Sequence, residues 1–247
     1  MSAPSIRLTD VTISYSPAVM GRSWLFDRLM GQRSEPFMSL RGVSLTLEHG
    51  ESLGIIGNNG AGKTTTLKVM AGILPPTTGQ VEINGNVTTL LDLGAGLEGN
   101  FNAWFNIDLF AELQRIPRNK RVDYKNYVVD FSELGDALSR PVRTYSMGML
   151  LRLIFSLRTY VTPEILIVDE IFGVGDQRFT RKAQQRTLEI LRSASSVAFS
   201  SHDFSLIRSF CTRTIWMEGG KIVQSGATDE VIANYAEFDV KASVNSS

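Results

Sequence analysis

Residues 57–64 read Gly57-Asn58-Asn59-Gly60-Ala61-Gly62-Lys63-Thr64, and the fold is organised around this stretch. The glycine spacing is that of the P-loop, a turn whose backbone N–H groups surround a phosphate. The apolar run 53–56 before it predicts a buried strand, and residues 65–70 after it predict a helix that ends near Gly72. Because this order aims the positive end of the helix at an anion, the sequence predicts a phosphate site.

The same loop predicts a nucleoside triphosphate as the ligand. The Lys63 ammonium is expected to reach the β- and γ-phosphates, and the Thr64 hydroxyl is expected to hold Mg²⁺. The glycines let the backbone approach phosphate oxygens with dihedral angles that side chains resist. The residues expected to contact ATP in this loop are Gly57, Asn58, Asn59, Gly60, Ala61, Gly62, Lys63, Thr64 and Thr65.

Length and composition indicate a packed globular chain. The 247 residues suit one sizeable domain, or a core with a smaller subdomain, and 43% of them are apolar. Basic and acidic residues balance at 25 each, which gives no support for nucleic-acid binding through a basic face. The single cysteine, Cys211, excludes an internal disulfide and is expected to be a small buried apolar side chain.

No segment of the sequence is typical of a signal peptide or a membrane span. Residues 1–5 lack an apolar core, and no apolar run approaches the roughly 20 residues that cross a bilayer. We therefore expect a cytosolic chain whose membrane role is at the surface or through a partner.

Apolar patterns predict strands that alternate with helices, which indicates an α/β fold with a largely parallel sheet. The predicted strands are 6–15, 39–47, 53–56, 80–84, 86–93, 165–168, 197–200, 214–217 and 221–224. The predicted helices beyond the loop are 103–138, 147–160, 178–192 and a C-terminal helix from Thr228. We expect a helical subdomain at 97–160 and a frayed polar tail at 241–247.

The segment 16–38 is an insert between the first two predicted strands. Within it, one side of a predicted helix carries Leu25, Phe26, Leu29 and Met30, and the basic residues are Arg22, Arg28 and Arg33. A short basic amphipathic helix can lie at a lipid headgroup layer or dock on a partner. Its apolar stripe can also pack on the chain's own sheet, and the pattern leaves both possibilities open.

Further motifs resemble the ABC-type ATPases, in the order of that family and over essentially the whole chain. Residues 144–149, Thr-Tyr-Ser-Met-Gly-Met, resemble the family's signature sequence and keep its serine and second glycine. The pair Asp169-Glu170 after an apolar strand resembles the Walker B end with its catalytic glutamate. Asp176 falls at the place of the D-loop aspartate, and His202 within Ser-His-Asp matches the switch histidine.

The resemblance implies a P-loop NTPase fold with a RecA-like core, an N-terminal antiparallel β subdomain and an inserted α-helical subdomain. It implies that Asp169 holds Mg²⁺, that Glu170 positions or deprotonates the attacking water, and that His202 contacts the γ-phosphate. The residues implied to serve the nucleotide of a second subunit are Ser146, Gly148 and Asp176. The serine also suits an ordinary N-cap of the helix after it.

Two positions match the family pattern less closely. Tyr15 can stack on adenine, as an aromatic residue of that family does, or simply end a strand; Trp24 and Phe26 are weaker candidates for stacking. No glutamine is found at the position of the family's Q-loop, and Glu98 is the residue nearest to that position. By the resemblance, Glu98 would take the place of the glutamine as a metal contact.

One branch of the family is more similar than the others. The signature continuing through Arg152, the run 90–96 and the pair Cys211 to Trp216 resemble the ATPase subunit of polysaccharide exporters for O-antigen, capsule or teichoic-acid chains. Some members of that branch carry a C-terminal domain that binds the polysaccharide, and the length of this chain predicts its absence.

The branch resemblance implies a peripheral homodimer at the cytoplasmic face of the inner membrane. It would use ATP and Mg²⁺, work with two copies of a membrane-spanning subunit, and act indirectly on a lipid-linked polysaccharide, without nucleic acid. Two alternatives remain. One is a soluble ABC ATPase of translation or DNA repair, and the other is an ABC exporter ATPase for lipids, drugs or another small substrate.

Overall fold

A computed structural model of the chain describes residues 3–15, 36–91, 96–169 and 177–245, with side chains as far as 240. The chain divides into two compact units. The first comprises residues 1–86, 167–170 and 195–247, and the second comprises residues 87–166 and 171–194.

Strands and helices are interspersed along the described parts of the chain, with runs of consecutive strands or helices at several places. The strands are β1 (Ile6–Tyr15), β2 (Phe37–Leu47), β3 (Ser52–Ile56), β4 (Thr78–Ile83), β5 (Val87–Leu90), β6 (Ile165–Asp169), β7 (Ser196–Ser200), β8 (Arg213–Glu218) and β9 (Lys221–Ala227). The helices are α1 (Lys63–Met70), α2 (Ala103–Leu113), α3 (Arg121–Ser132), α4 (Met147–Arg158), α5 (Gln177–Ser193), α6 (Phe204–Phe210) and α7 (Thr228–Asn245).

The first unit contains a three-stranded antiparallel sheet of order β2-β1-β4. Along β1, Ile6 and Leu8 are buried with the period of two, and a register shift between Leu8 and Val11 changes the phase, so that Val11 and Ile13 are the buried residues after it. Strand β2 begins at Phe37, so the predicted insert 16–38 is wrong at its C-terminal end. The amphipathic helix predicted within that insert lies outside the described residues.

The central sheet of the first unit has the strand order β6-β7-β3-β8-β9. Strand β3 is parallel to both β7 and β8, and β9 returns antiparallel to β8 as the predicted hairpin. Leu53, Ile55 and Phe199 are fully buried, as expected when both faces of a parallel sheet are covered. The prediction of a largely parallel sheet is confirmed.

The second unit is mostly helical and has its own apolar core. Residues of α2, α3 and α4 form it, among them Ile107, Tyr124, Val128 and Leu153. The helical pattern predicted over 103–138 contains α2 and α3, and the chain turns between them. Arg115 takes a positive φ of 54°, a conformation that ends a helix.

Glu133 joins three helices of the second unit. It follows α3, and its carboxylate lies 2.8 Å from Lys182 Nζ on α5 and 4.0 Å from Arg152 Nη1 on α4. The hydrogen bond from Lys182 lowers the pKa of this carboxyl group. The lysine also donates to the carbonyl oxygens of Asp130 and Phe131, so α5 covers the open end of α3.

Two features near the C-terminus differ from the sequence prediction. The short helix α6 was not predicted; Asp203 caps it by accepting from the Ser205 amide at 2.9 Å. Helix α7 runs to Asn245, into the segment 241–247 for which the sequence predicts a frayed tail. Among the described residues, no helix combines the length and apolar character needed to cross a membrane.

Candidate functional site

The predicted phosphate loop connects β3 to α1 in the first unit. Gly57 and Gly62 have φ values of 146° and 104°, which residues with side chains rarely adopt. A Cβ atom at Gly57 would stand 2.2 Å from the carbonyl oxygen of Met217, and one at Gly62 would stand 2.9 Å from Leu40 Cδ2. These glycines are therefore required both by the turn and by the close packing around it.

Helix α1 begins at Lys63, two residues earlier than predicted. The Thr66 amide donates to the carbonyl of Gly62 at 2.9 Å, so the first helical turn grows directly out of the loop. The Gly220 amide, in the turn between β8 and β9, donates to the Ala61 carbonyl at 3.0 Å. The β8-β9 turn thus supports the loop.

Lys63 lies folded against the loop. Its Nζ donates to the carbonyl oxygens of Gly57 at 2.7 Å and Asn58 at 3.1 Å. Since Asn58 also accepts from the Ala61 amide at 3.1 Å, these contacts hold the loop closed on itself. The cationic group is therefore already beside the backbone that the sequence predicts to bind phosphate.

The carboxylate of Asp169 is bound by hydroxyl groups from two other elements. Thr64 Oγ1, in the first turn of α1, donates to Asp169 Oδ2 at 2.5 Å. The hydroxyl of Ser200, the last residue of β7, donates to the other oxygen, Asp169 Oδ1. Strand β7 is parallel to β3, so their C-terminal ends lie at one edge of the sheet. The bonds from Thr64 and Ser200 bring Asp169, the last residue of β6, to the same edge, where α/β folds bind ligands.

A cavity of about 220 Å³ lies at this edge. Its lining combines predicted residues with residues that sequence reasoning missed: Phe37, Ser39, Asn59, Gly60, Ala61, Gly62, Lys63, Thr64, Thr65, Asp169, Ser200 and His202. His202, predicted from its resemblance to the switch histidine and its place after a strand, is exposed at the cavity. The structure therefore brings the loop, Asp169 and His202 together within the first unit.

Among the described residues that line the cavity, Phe37 supplies a benzyl ring, and its side chain is 52% exposed. Tyr15, the predicted stacking residue, is half-buried and does not line the cavity. It pairs directly with Phe37 across the two strands, so the two side chains share one face of the sheet. Phe37 was missed because the sequence pattern placed it in the insert rather than in a strand.

Ser146 and Gly148 lie in the second unit, at the N-terminus of α4. The Ser146 hydroxyl accepts from the Met149 amide at 3.3 Å, which confirms the predicted N-cap. Ser146 and Met147 are exposed, and a Cβ atom at Gly148 would meet nothing within 4 Å. The buried Tyr145 supports this turn by donating from its hydroxyl to the Ala137 carbonyl at 2.6 Å.

The other predicted site residues are in different positions. Glu98, in the second unit, is exposed, and both its amide and its carbonyl bond the Asn106 side chain, at 2.7 and 3.2 Å. Glu170 and Asp176 lie outside the described residues. The roles predicted for these three carboxylates stay predictions.

A comparison with protein families decides the family of the chain. The family model described as ABC transporter matches residues 40–173, which contain the phosphate loop, the α4 N-terminus and Asp169. The chain belongs to the ABC transporter family.

Curated relatives of this ABC transporter family member include export proteins. It is 37% identical to "O-antigen export system ATP-binding protein RfbB" of Myxococcus xanthus, over 87% of this chain and 49% of the relative. It is 39% identical to "Teichoic acids export ATP-binding protein TagH" of Levilactobacillus brevis, over 86% of this chain and 59% of the relative. TagH of Staphylococcus haemolyticus is 34% identical, over 95% of this chain and 89% of that relative. The chain spans only about half to three-fifths of the first two relatives.

Solved structures of ABC proteins share the fold of this family member. An ATP-binding subunit of an ABC transporter superposes with a TM-score of 0.69 at 19% identity, covering 94% of this chain and 93% of that one. A dimeric bacterial ABC transporter cassette superposes with a TM-score of 0.67 at 20% identity, covering 90% of this chain and 98% of that one. The predicted α/β P-loop NTPase fold is confirmed.

Proposed function

We propose that the chain is the ATP-binding and ATP-hydrolysing subunit of a polysaccharide exporter. One observation carries the proposal of ATP hydrolysis. The phosphate loop, the hydrogen-bonded pair Thr64 and Asp169, and His202 all line one cavity. A loop for phosphate, oxygen ligands for a cation and a titratable side chain are the parts that phosphoryl transfer requires.

ATP is proposed to lie along the loop, with Lys63 and the loop amides on its β- and γ-phosphates. Phe37, half-exposed at the cavity, is the better-placed partner for the adenine ring, with Tyr15 beside it. An aromatic face binds any base by stacking at about 1–3 kcal/mol, so this contact adds affinity more than specificity.

Thr64 and Asp169 are proposed to hold Mg²⁺. The fit is chemical: a hydroxyl and a carboxylate are hard oxygen ligands, and their oxygens lie 2.5 Å apart. Magnesium in phosphate sites takes one or two protein ligands and fills its shell with phosphate oxygens and water. When bound there, the ion would neutralise charge on the phosphates. Glu98 is the additional metal contact that the sequence predicts.

Hydrolysis is proposed to use two further side chains. Glu170 is the proposed base that orients and deprotonates the attacking water, and His202 donates a hydrogen bond to the γ-phosphate oxygens. The position of His202 at the cavity, after the end of β7, supports its part. Little covalent chemistry is required of the protein, because catalysis of this kind is positioning and charge stabilisation.

Two copies of the chain are proposed to enclose each nucleotide. The loop of one copy would meet Ser146, Gly148 and Asp176 of its partner. The exposed N-terminus of α4 supports this arrangement, since a helix N-terminus attracts anions and the space beside Gly148 is open in a single copy. ATP would close the dimer by contacting both copies, and loss of the γ-phosphate would reopen it.

Gly148→Ala tests the open space beside the α4 N-terminus. Because an added Cβ meets no atom of the described residues within 4 Å, the variant should fold and be stabilised by about 0.5–1 kcal/mol through higher helix propensity. If a partner's nucleotide occupies that space, ATP turnover should fall at least ~10-fold, the effect of losing about 1.4 kcal/mol of transition-state stabilisation.

Thermal unfolding and steady-state ATP hydrolysis measure the two effects of Gly148→Ala separately. Gly135→Ala is the matched control, because its Cβ would also contact none of the described residues, at the start of a short 3-10 helix of the same unit. Its positive φ should make it destabilising, with turnover unchanged. A Gly148→Ala protein that is more stable and fully active would argue against nucleotide contact there.

The transported substrate is proposed to be a lipid-linked polysaccharide, moved by two copies of a separate membrane subunit. The curated names of the relatives, O-antigen and teichoic acid export proteins, support this substrate class. The chain would then act as a peripheral protein at the cytoplasmic face of the membrane. The alternatives are an exporter ATPase for a small substrate and a soluble ATPase of translation or DNA repair.

The test is ATP hydrolysis by the chain together with its membrane subunit in proteoliposomes. Addition of a lipid-linked polysaccharide is expected to stimulate hydrolysis several-fold, and the polymer should appear inside inverted vesicles. A free lipid or a drug should not stimulate. Stimulation by the small compounds alone would favour the second exporter class, and stimulation by ribosomes or DNA without the membrane subunit would favour the soluble class.

A further inference from the structure

Helix α7 contacts the phosphate loop through the side chain of Tyr235. The Tyr235 hydroxyl donates to Asn58 Oδ1 at 2.7 Å, and Asn58 is the second residue of the loop. The two residues are 177 positions apart and belong to the same unit. No feature of the loop sequence predicts this contact.

The Tyr235 ring is fixed by its neighbours. It is 7% exposed, and it packs edge-on against Trp216 at 5.6 Å and Phe204 at 5.8 Å between ring centroids. Helix α7 is anchored by the fully buried Val231 and by the Thr228 hydroxyl, which donates to the Cys211 carbonyl at 2.9 Å. Because the ring and its helix are both packed, the hydroxyl has little freedom to leave Asn58.

Asn58 carries bonds at both its side chain and its backbone. Its carbonyl oxygen accepts from Lys63 Nζ at 3.1 Å and from the Ala61 amide at 3.1 Å. Fixing the side chain therefore restrains the same residue that holds the lysine. A loop ordered before the ligand arrives does not have to be ordered by it, which strengthens binding.

We propose that Tyr235 is a positioning residue for the phosphate loop. Its hydroxyl holds Asn58, and through Asn58 it keeps the loop in the conformation that binds the phosphates of ATP. The inference rests on the proposed function, since it takes ATP as the ligand of the loop. It adds a role for α7 in nucleotide affinity.

Tyr235→Phe tests this role because it removes the hydroxyl and keeps the ring. Loss of one such hydrogen bond should weaken ATP binding about 5-fold, the effect of a typical neutral hydrogen bond. The KM for ATP should rise by a similar factor while kcat stays near the wild-type value. The reason is that the variant loop is less ordered only in the free protein, whereas bound ATP orders it in both the ground state and the transition state. Equilibrium binding of ATP with Mg²⁺ and steady-state kinetics on the full chain measure both.

Tyr127→Phe is the matched control. It removes a tyrosine hydroxyl that bonds Thr159 Oγ1 at 3.0 Å within the second unit, whereas the loop belongs to the first. Its affinity for ATP should equal that of the wild type. Asn58→Ala removes the acceptor of the same hydrogen bond and leaves the packed rings of Tyr235, Trp216 and Phe204 intact. It therefore tests the role of the bond even if Tyr235→Phe lowers thermal stability. The double variant should bind no more weakly than Asn58→Ala alone, since both changes remove one bond.

The outcomes separate this inference from the function on which it rests. A wild-type chain that binds no ATP would contradict the proposed function. A wild type that binds ATP, with Tyr235→Phe binding equally well, would overturn the positioning role alone. So would fully additive losses in the double variant, because additivity means that the two side chains act independently.

Discussion

A mixture of two inactive variants, Lys63→Ala and Ser146→Arg, is expected to regain about a quarter of the wild-type ATP hydrolysis. Random pairing makes about half of the dimers mixed, and each mixed dimer has one site with an intact loop and an intact partner serine. The other site in that dimer carries both defects. Recovery on mixing is therefore expected only if each site is built from two copies.

Each variant alone should lose at least ~100-fold in turnover, through different causes. Lys63→Ala removes the ammonium that lies against the Gly57 and Asn58 carbonyls, beside the proposed phosphate site. Ser146→Arg places a long side chain at a helix N-terminus where Ser146 and Met147 are exposed. Folding should therefore survive, and the side chain should obstruct the approach of a partner's nucleotide.

The control is a second mixture, Lys63→Ala with Asp169→Asn. Both of these changes fall on the loop side of the site, in the first unit of the chain. Each site of a mixed dimer then has one defective loop side, so no activity should return. Hydrolysis is measured by phosphate release after the variants are mixed, with and without prior dissociation by dilution. Recovery in both mixtures, or in neither, would contradict a site shared between two copies.

The phosphate loop could be predicted from the sequence because its information is local. The glycine pattern at 57–62 and the apolar runs that flank it lie within about 20 residues, and both the turn and β3 are confirmed. Asp169 and His202 were predicted from motifs that resemble those of the ABC-type ATPases, with a supporting local signal. Each stands at or just after the end of a predicted apolar strand, and the ends of parallel strands meet at one edge of a sheet.

Other site residues depend on pairing that the sequence does not show. Phe37 reaches the cavity because β2 begins two residues earlier than its alternating pattern indicates. Ser200 meets Asp169 only because β7 is the neighbour of β6, and strand order is not encoded in either strand alone. Tyr235 finds Asn58 across 177 residues through the packing of α7. Contacts of this kind follow from tertiary packing, which local patterns do not specify.

Asp169→Asn is expected to reduce ATP turnover by about three orders of magnitude, equal to ~4 kcal/mol of transition-state stabilisation. The change removes the charge that would hold Mg²⁺ while keeping the shape of the side chain. Thr64 and Ser200 both donate to this carboxylate, and a rotated hydroxyl can accept from the new amide instead. The fold should therefore be retained, and the loss should appear in catalysis and in the response to Mg²⁺.

The response of ATP binding to Mg²⁺ distinguishes loss of the Asp169 charge from a structural change at the site. In the wild type, Mg²⁺ should strengthen ATP binding relative to binding in EDTA, whereas in Asp169→Asn the two affinities should be nearly equal. Ser200→Ala is the matched control, because it removes one hydrogen bond from the carboxylate and leaves its charge. It should lose no more than about 5-fold in turnover. Since an intact carboxylate suffices for the cation, Ser200→Ala should keep the full response to Mg²⁺. An Asp169→Asn protein with the same response would place the metal elsewhere.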